Sequence, residues 1–410
     1  DPYHVFGYTK KGLRVSSDGG QTWVTPGGLP ATAESSDVDV PGNGTVITTA
    51  SGKPWRSTDN GATFTNVGTS AQGFINSSLS RTEIGVDPSD PNFVYAFCAN
   101  NTGALAGVYV STDGGATWQQ AAGAGNAQFE PFGTGQGDYD NVVEVDPNNK
   151  FRAIFGGVEL WDFELLQTNP VGGQWTRRAL EFPASLFNPW YVHSDKHVIL
   201  YHPTAPGTIF VGTDGGIFRS QNDGATWTPM NNGYNVTQAY SVAIDPFAPN
   251  RDRAMIGTQD NGTQYVNGAG NTLMSSFSTS GGDGGHCDIS LLFPGATFQT
   301  VYYGATSRSN NGGQSSGDFF SERMTPTAYG QPGFAAFVTP IRLWESFNDP
   351  LSSDSITMVN DTIEQNKHVT TGATATYSGA LTVTAPIANP AATVILNSIR
   401  FTVANRSETV

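Results

Sequence analysis

One eight-residue pattern recurs in this chain and constrains its fold more than any other feature. The pattern is Ser-x-Asp-x-Gly-x-Thr-Trp, with copies at 16–23, 57–64, 111–118 and 220–227 and a worn copy at 309–315. A short carboxylate accepts hydrogen bonds from the backbone N–H groups that follow it, and glycine adopts the positive φ of a tight turn. We call each copy a repeated turn. We assign structural roles to Asp18, Asp59, Asp113 and, in the fourth copy, Asn222.

Strand-like runs surround the repeated turns in a fixed order. A first run ends in a turn, usually Asp-Pro, and a second run, a hairpin and a third run then lead into the repeated turn. Four strands in roughly 40–60 residues are typical of a propeller blade. Units of this kind lie near 3–30, 38–70, 80–121, 138–180, 197–230, 239–275 and 286–320. We predict an all-β propeller over 1–345 with seven blades rather than six or eight.

The pattern changes near residue 346. Runs at 355–359, 380–384 and 398–403 alternate like strands with one face in solvent, and no repeated turn occurs among them. We predict that 346–410 is a strand-rich segment that begins a β-sandwich-like module. The chain is therefore expected to belong to a larger protein.

Charge and composition exclude several classes of partner. The net charge is −15, with 6 Lys and 14 Arg, which argues against a nucleic-acid-binding face. No apolar run approaches the ~20 residues that span a bilayer. Few lysines and many Thr and Asn residues indicate an extracellular or cell-surface protein. We favour two buried free thiols over a disulfide for Cys98 and Cys287.

Polar residues gather in loops that propeller topology brings to one face, opposite the repeated turns. These loops precede innermost strands or join second to third strands. The candidate ligand-binding residues are Asp138, His193, His197, Asp214, Asp260, Asp283 and His286. Asp195 belongs to the same face. Asp-Gly and Asn-Gly are also ordinary hairpin dipeptides, so a solvated structural role is the alternative for each residue.

Three site chemistries fit these loops. A glycosidase needs two carboxyl groups roughly 5–10 Å apart, and the candidates are Asp214 with Asp195, Asp260 or Asp283. A binding site needs polar groups and an aromatic platform, for which Trp190, Tyr191 or Trp161 is available. A metal site is the third chemistry: the spacing of His193 and His197 suits a helix better than a strand, so Ca²⁺ bound by carboxylate and carbonyl oxygens is favoured over a histidine-bound metal.

The repeated turns resemble the Asp-box of bacterial neuraminidase-type repeats. That superfamily includes sialidases, xyloglucanases, sortilin-type receptors and secreted bacterial multidomain surface proteins. Residues 80–320 look most like the last group. The Arg-Ile-Pro element of sialidases is absent from the sequence. Residues 202–219 are similar to the xyloglucanase segment that holds a catalytic aspartate, which implies that role for Asp214.

Two functional hypotheses follow. Because no complete catalytic set is visible, the leading one is a non-catalytic, secreted or cell-surface propeller. It would bind a glycan or a protein at the surface of a bacterium, or serve as a structural module. No sequence feature indicates self-assembly. The alternative is a xyloglucanase-like glycoside hydrolase with carboxylates at the propeller mouth.

Overall fold

The computed structural model describes most of the chain up to residue 343. The described range is 3–343 without 10, 31–32, 35, 43, 127, 134, 182–187, 235–236, 246–252, 268–275, 291–294 and 319–334. Beyond it, the backbone of four strands is described. Two compact units divide the chain, Asp1–Asn235 and Val236–Val410, and each is described by itself.

The described residues of the first unit form one two-stranded sheet and four four-stranded sheets. In chain order the strands are β1 (Val5–Thr9), β2 (Gly12–Ser16), β3 (Val38–Gly42), β4 (Thr45–Ala50), β5 (Lys53–Ser57), β6 (Thr65–Asn66), β7 (Leu79–Val86), β8 (Val94–Asn100), β9 (Leu105–Ser111), β10 (Gln119–Gly123), β11 (Val142–Asp146), β12 (Asn149–Gly156), β13 (Leu160–Thr168), β14 (Val171–Arg177), β15 (Lys196–Tyr201), β16 (Ile209–Thr213), β17 (Gly216–Ser220) and β18 (Thr228–Pro229). Strands β1 and β2 form one sheet, and each following group of four forms the next.

The second unit repeats this organisation. Its strands are β19 (Ala239–Ile244), β20 (Arg253–Thr258), β21 (Thr263–Asn267), β22 (Ser276–Ser280), β23 (Cys287–Ile289), β24 (Thr297–Thr300), β25 (Thr306–Ser309), β26 (Gly317–Asp318), β27 (Ser355–Glu364), β28 (Thr376–Pro386), β29 (Arg400–Val403) and β30 (Arg406–Thr409). Strands β19–β22 and β23–β26 form four-stranded sheets, whereas β27–β28 and β29–β30 are hairpins.

Every four-stranded sheet pairs consecutive strands in antiparallel order, which is the arrangement of a propeller blade. The prediction of an all-β chain built from such units is therefore confirmed. The described residues contain only two short 3₁₀ helices, Ser70–Gln72 and Tyr302–Gly304. No described helix is long and apolar enough to cross a membrane. Closure into seven blades and a sandwich after residue 346 remain predictions.

Each repeated turn is held by the same hydrogen bonds. In the third copy, Asp113 accepts hydrogen bonds from the backbone N–H and the hydroxyl of Thr117, at 2.8 and 2.6 Å. Ser111 donates to Asp113 and accepts the Gly115 N–H. The worn copy keeps this arrangement with Asn311 in place of the aspartate. These contacts show that the turn aspartates stabilise the backbone of the turn.

Aromatic side chains fill the space between the sheets of β7–β10 and β11–β14. Phe97 stacks on Phe132 with ring centroids 4.7 Å apart, and it packs edge-on against Phe155 with centroids 5.2 Å apart. Phe129 stacks on Trp175 at 3.8 Å. Offset and edge-on packing of this kind adds to the free energy gained by burying the rings. The loop that follows Phe132 is anchored on this core.

Candidate functional site

The loop between β10 and β11 supplies most of the candidate site. The carbonyl of Gln136 accepts the backbone N–H groups of Tyr139 and Asp140, at 2.7 and 2.9 Å. The guanidinium of Arg81, on β7, donates to the carbonyls of Tyr139 and Asn141. The loop is thus fixed from inside and from the neighbouring sheet, so its side chains have defined directions.

Asp214 lies in the hairpin between β16 and β17 and receives two side-chain hydrogen bonds. The hydroxyl of Tyr139 donates to Oδ2, and Nε2 of His197 lies against Oδ1, each at 2.8 Å. Burial acts to raise the pKa of Asp214, but the hydrogen bonds from His197 and Tyr139 outweigh it and lower the pKa. Asp214 is therefore an ionised carboxylate in a fixed orientation.

Asp195 lies beside Asp214 and has the opposite character. Its backbone carbonyl accepts the Asp214 N–H at 3.3 Å, and its Oδ1 accepts Nε2 of Gln136 at 3.0 Å. Burial and the negative charge of Asp214 raise the pKa of Asp195. Its φ is +59°, a left-handed conformation that is uncommon outside glycine.

Asp140 completes a group of three carboxyl groups. Its side chain is fully buried, and among the described residues neither carboxyl oxygen has a hydrogen-bond donor. Burial and the neighbouring Asp195 raise the pKa of Asp140 to about 9. At neutral pH it is therefore a protonated acid. We call Asp140, Asp195 and Asp214 the carboxyl cluster.

A buried lysine adjoins the carboxyl cluster. Lys196 is the first residue of β15, is fully buried, and donates through Nζ to the carbonyl of Val158. Burial lowers the pKa of Lys196 to about 8, against the opposing effect of nearby carboxyl groups. The lysine supplies positive charge to a region that is otherwise acidic.

Two histidines cover the hairpin that carries Asp214. The ring of His193 lies on Gly215, where an added Cβ would come within 2.2 Å of it. The ring of His197 meets Tyr139 edge-on at 4.8 Å. Gly215 is required by this close approach, and the Asp-Gly sequence thus allows His193 to pack over the turn.

Aromatic rings are exposed on the same unit. Tyr139 is 49% exposed and Trp190 is 52% exposed. Tyr139 combines an accessible ring with a hydroxyl bound to Asp214. It therefore offers a stacking surface directly beside the carboxyl cluster.

Three predicted site residues belong to the second unit. Oδ1 of Asp283 accepts the backbone N–H of Asp260 at 2.9 Å. The φ of Asp260 is +60°, so Asp283 stabilises a left-handed turn. The backbone N–H of His286 donates to Thr300. These contacts support the loop backbone around β20, β21 and β23.

The structure offers no metal site among the residues it describes. No group of three or more His, Cys, Asp or Glu side chains there is arranged to hold a metal ion. Binding of Ca²⁺ remains a prediction.

Comparison with known proteins finds similarity to xyloglucanases over part of the chain. No protein-family model matches it. It is 26% identical over 275 residues to a xyloglucanase of Hypocrea jecorina (strain QM6a), covering 61% of this chain and 32% of that protein. It is 26% identical over 274 residues to a xyloglucanase of a Paenibacillus species, covering 63% of this chain and 23% of that protein. The chain thus spans a third or less of these relatives.

Solved structures align with much of the chain at low identity. A GH74 xyloglucanase from Xanthomonas campestris aligns at 14% identity and a TM-score of 0.32, over 92% of this chain and 58% of its own. YCF48 bound to D1 peptide aligns at 14% identity and a TM-score of 0.37, over 76% of this chain and 88% of its own. PorZ, a surface component of the type-IX secretion system of Porphyromonas gingivalis, aligns at 12% identity and a TM-score of 0.38, over 77% of this chain and 38% of its own. Scores below 0.5 describe partial overlap of the folds, and function follows from none of them.

The structure brings some predicted residues together and separates others from them. Asp195, His197 and Asp214 lie in one cluster, with His193 over the adjoining hairpin. Asp138 is exposed, and its carboxylate lies near Gly103 rather than in a hydrogen bond to the cluster.

Sequence reasoning did not select Gln136, Tyr139, Asp140 or Lys196. The first three stand with Asp138 in the loop before β11, and Lys196 begins β15 directly after Asp195. The available signal was that each loop ends directly at an innermost strand, β11 or β15, where side chains enter the interior.

Proposed function

We propose that this protein is a glycoside hydrolase that acts on a β-glucan or xyloglucan-like polysaccharide through Asp195 and Asp214. The observation that carries this proposal is the opposite perturbation of two neighbouring carboxyl groups. Asp195 has a raised pKa and Asp214 a lowered one. Two adjacent carboxyl groups with separated pKa values are the usual basis for assigning an acid and a base.

The proposed roles follow from the two environments. Asp195, which retains its proton more strongly, would protonate the glycosidic oxygen as that bond breaks. Asp214, held ionised by Tyr139 and His197, would accept a proton from the attacking water. Asp140 is too deeply buried to contact a substrate. The exposed ring of Tyr139 would stack on a sugar next to the scissile bond.

The similarity to xyloglucanases supports this choice of substrate class. Both curated relatives carry that name and match more than half of this chain. The acidic loops and exposed rings suit a neutral, hydroxyl-rich polymer better than a polyanion, since the net charge of −15 repels anionic chains.

The test is release of reducing sugar from xyloglucan and from β-glucans. We expect activity in the wild-type protein and a loss of about 10²–10⁴-fold in Asp214→Asn and Asp195→Asn, the range for removal of a general acid or base. Glu164→Gln is the matched control, because it removes an exposed carboxylate from β13. Folded wild-type protein that releases no sugar from any of these substrates would contradict the proposal.

A binding module without catalysis is the second candidate, and the exposed rings of Tyr139 and Trp190 favour it. In this case the protein would be a secreted or surface Asp-box propeller that holds a glycan or a protein. Calorimetric titration with xyloglucan oligosaccharides separates the two functions. A binding module would lose affinity in Tyr139→Ala and Trp190→Ala, and it would release no sugar.

A further inference from the structure

Two carboxyl groups of the cluster lie together without a donor between them. Asp140 is fully buried, and neither of its oxygens has a hydrogen-bond donor among the described residues. Gln136 joins it to Asp195, because the Gln136 carbonyl accepts the Asp140 N–H and the Gln136 side-chain amide donates to Asp195 Oδ1. Two ionised carboxylates accept hydrogen bonds only, so a contact between them is stable when one of them carries a proton.

We propose that Asp140 and Asp195 form a buried carboxyl pair in which Asp195 loses its proton first and Asp140 keeps the last one, which it then donates to ionised Asp195 as a positioning residue. The pair itself is independent of catalysis, and only its effect on activity rests on the proposed function. Asp140 is assigned as the donor because its ionised form would have no partner, whereas ionised Asp195 keeps the amide of Gln136.

The charged groups that face the pair agree with this assignment. Asp195 faces the carboxylate of Asp214, which disfavours its ionised form, and His193 and Lys196, which favour it. Asp140 faces Asp195 and Lys196. Lys196 directs Nζ to the carbonyl of Val158 and forms no ion pair with Asp140. The hydrogen bond that Lys196 donates is therefore to a backbone carbonyl and not to Asp140.

The proton on Asp140 has a consequence for Asp195. A hydrogen bond donated to the ionised form of a carboxyl group lowers its pKa. Asp140 thus opposes the burial and the charge of Asp214, which raise the pKa of Asp195. It also fixes the direction of a carboxyl group whose backbone is in a left-handed conformation. Replacement of Asp140 should change the titration of Asp195 in a way that depends on what replaces it.

The experiment is a pH titration by NMR of protein labelled with ¹³C at the aspartate carboxyl carbon. Signals are assigned with Asp140→Asn and Asp195→Asn. In the wild-type protein we expect the Asp140 signal to stay at the position of a protonated acid up to about pH 8, since burial and Asp195 raise its pKa to about 9. An Asp140 signal that titrates near pH 4 would overturn the proposal.

Two replacements of Asp140 test its protonation state, because one keeps a hydrogen-bond donor and the other removes it. An asparagine amide is neutral and can donate, as the protonated acid does, so Asp140→Asn should leave the Asp195 midpoint within about half a pH unit. Asp140→Ala removes the donor and should raise that midpoint by about one unit, a tenfold change in the acid dissociation constant. A fall of more than about one unit in Asp140→Asn would show that an ionised Asp140 had been removed, and would reject the proton on Asp140.

Folding and activity are controlled separately. Circular dichroism and thermal unfolding establish whether each variant is folded. If Asp140→Ala does not fold, the titration of the wild-type protein decides whether Asp140 is protonated. If the protein hydrolyses polysaccharide, Asp140→Ala should move the alkaline limb of the pH–rate profile upward with the Asp195 midpoint. The predicted titration without any hydrolysis would support the pair and reject the proposed function. Hydrolysis without the predicted titration would reject the pair and leave the proposed function standing.

Discussion

The hydroxyl of Tyr139 donates a 2.8 Å hydrogen bond to Oδ2 of Asp214 across 75 positions of the sequence. This bond joins the loop before β11 to the hairpin between β16 and β17, which belongs to the next sheet. Because His197 contacts the other oxygen of the same carboxylate, Asp214 can rotate only by breaking a hydrogen bond. Its orientation is thus determined jointly by two adjacent sheets.

Tyr139→Phe tests the electrostatic part of this relationship. Loss of a hydrogen bond to an ionised carboxylate costs about 1.5–3 kcal/mol when buried, and less here because the tyrosine is half exposed. We expect the pKa of Asp214 to rise by about one unit. Since the proposed base must be ionised, the acidic limb of kcat/KM against pH should move upward, with little change on the plateau.

Tyr191→Phe is the matched control for that measurement, because the Tyr191 ring packs on Phe218 and burial alone raises the pKa of its hydroxyl. It should leave the acidic limb in place. An unchanged limb in Tyr139→Phe would show that the hydrogen bond does not govern the ionisation of Asp214.

The blade unit could be predicted from the sequence because it is encoded locally. Each repeated turn carries its own donors and acceptors, and these lie within four residues of one another, as with Asp113 and Thr117. The worn copy keeps the bond from the backbone, since Asn311 Oδ1 accepts the Ser315 N–H, and its Nδ2 donates to the Ser315 hydroxyl in place of the bond that a threonine hydroxyl donates to aspartate. Local chemistry of this kind does not depend on the rest of the fold.

The candidate site could be predicted only in part, because burial decides its chemistry. Asp138 and Asp140 are two residues apart in one glycine-rich loop, yet Asp138 is exposed and Asp140 is fully buried. The difference depends on how Arg81 and the third sheet hold the loop. Sequence spacing does not contain that information. For the same reason it could not reveal that Asp195 and Asp214 have opposite pKa shifts.

Ser111→Ala tests how the repeated turns stabilise the fold. The buried Ser111 hydroxyl donates to Asp113 and accepts the backbone N–H of Gly115. Its removal leaves a buried N–H without an acceptor, which should cost about 1–3 kcal/mol of unfolding free energy. Urea unfolding measures this. The neighbouring Thr112→Ala is the control, because Thr112 is exposed in the same turn, and equal effects of the two variants would argue against the hydrogen-bond explanation.

The aromatic residue that ends each repeated turn should contribute in proportion to its burial. Trp118 is 3% exposed and packs edge-on against Phe74 at 5.6 Å, whereas Trp23 is 44% exposed. Trp118→Ala should therefore cost about 3–5 kcal/mol, as large-to-small changes in cores do. Trp23→Ala changes the same residue type at the same place in the pattern and should cost less than half as much. Similar losses in thermal stability for both variants would contradict this ranking.

Both cysteines should be unreactive in the native protein. Cys98 and Cys287 are buried free thiols, and burial raises the pKa of Cys98 to about 12 and also raises that of Cys287. Because the thiolate is the reactive form, Ellman's reagent should detect almost no thiol at pH 8 in native protein. In denaturant it should detect both. Rapid reaction of either thiol before unfolding would show that its surroundings open.

A separate group of partly buried carboxyl groups should make stability depend on pH. Burial raises the pKa of Asp37 to about 6, and burial with the charge of Asp37 raises the pKa of Glu144 to about 7. Burial also raises the pKa values of Asp39 and Glu83 well above their usual range. Arg81 forms an ion pair with Glu83 at 2.9 Å. The folded protein therefore holds protons that the unfolded chain releases near pH 4–5.

The sign of the effect follows from proton linkage. Between about pH 4.5 and 7 the folded state binds more protons than the unfolded state, so the free energy of unfolding should fall as pH rises. Asp18 and Asp59, whose hydrogen bonds to Thr22 and Thr63 lower their pKa values to about 2, act only below this window.

Glu144→Gln tests this linkage, because a glutamine cannot ionise as the pH rises. The variant should be more stable than the wild-type protein at pH 7.5, by about 1–3 kcal/mol, and close to it at pH 5. Urea unfolding at the two pH values measures the difference. Glu164→Gln, at an exposed position of β13, should change stability by less than about 0.5 kcal/mol at either pH. If Glu144→Gln kept the same dependence on pH as the wild-type protein, then Glu144 would be ionised over the whole range and its burial would not control its charge.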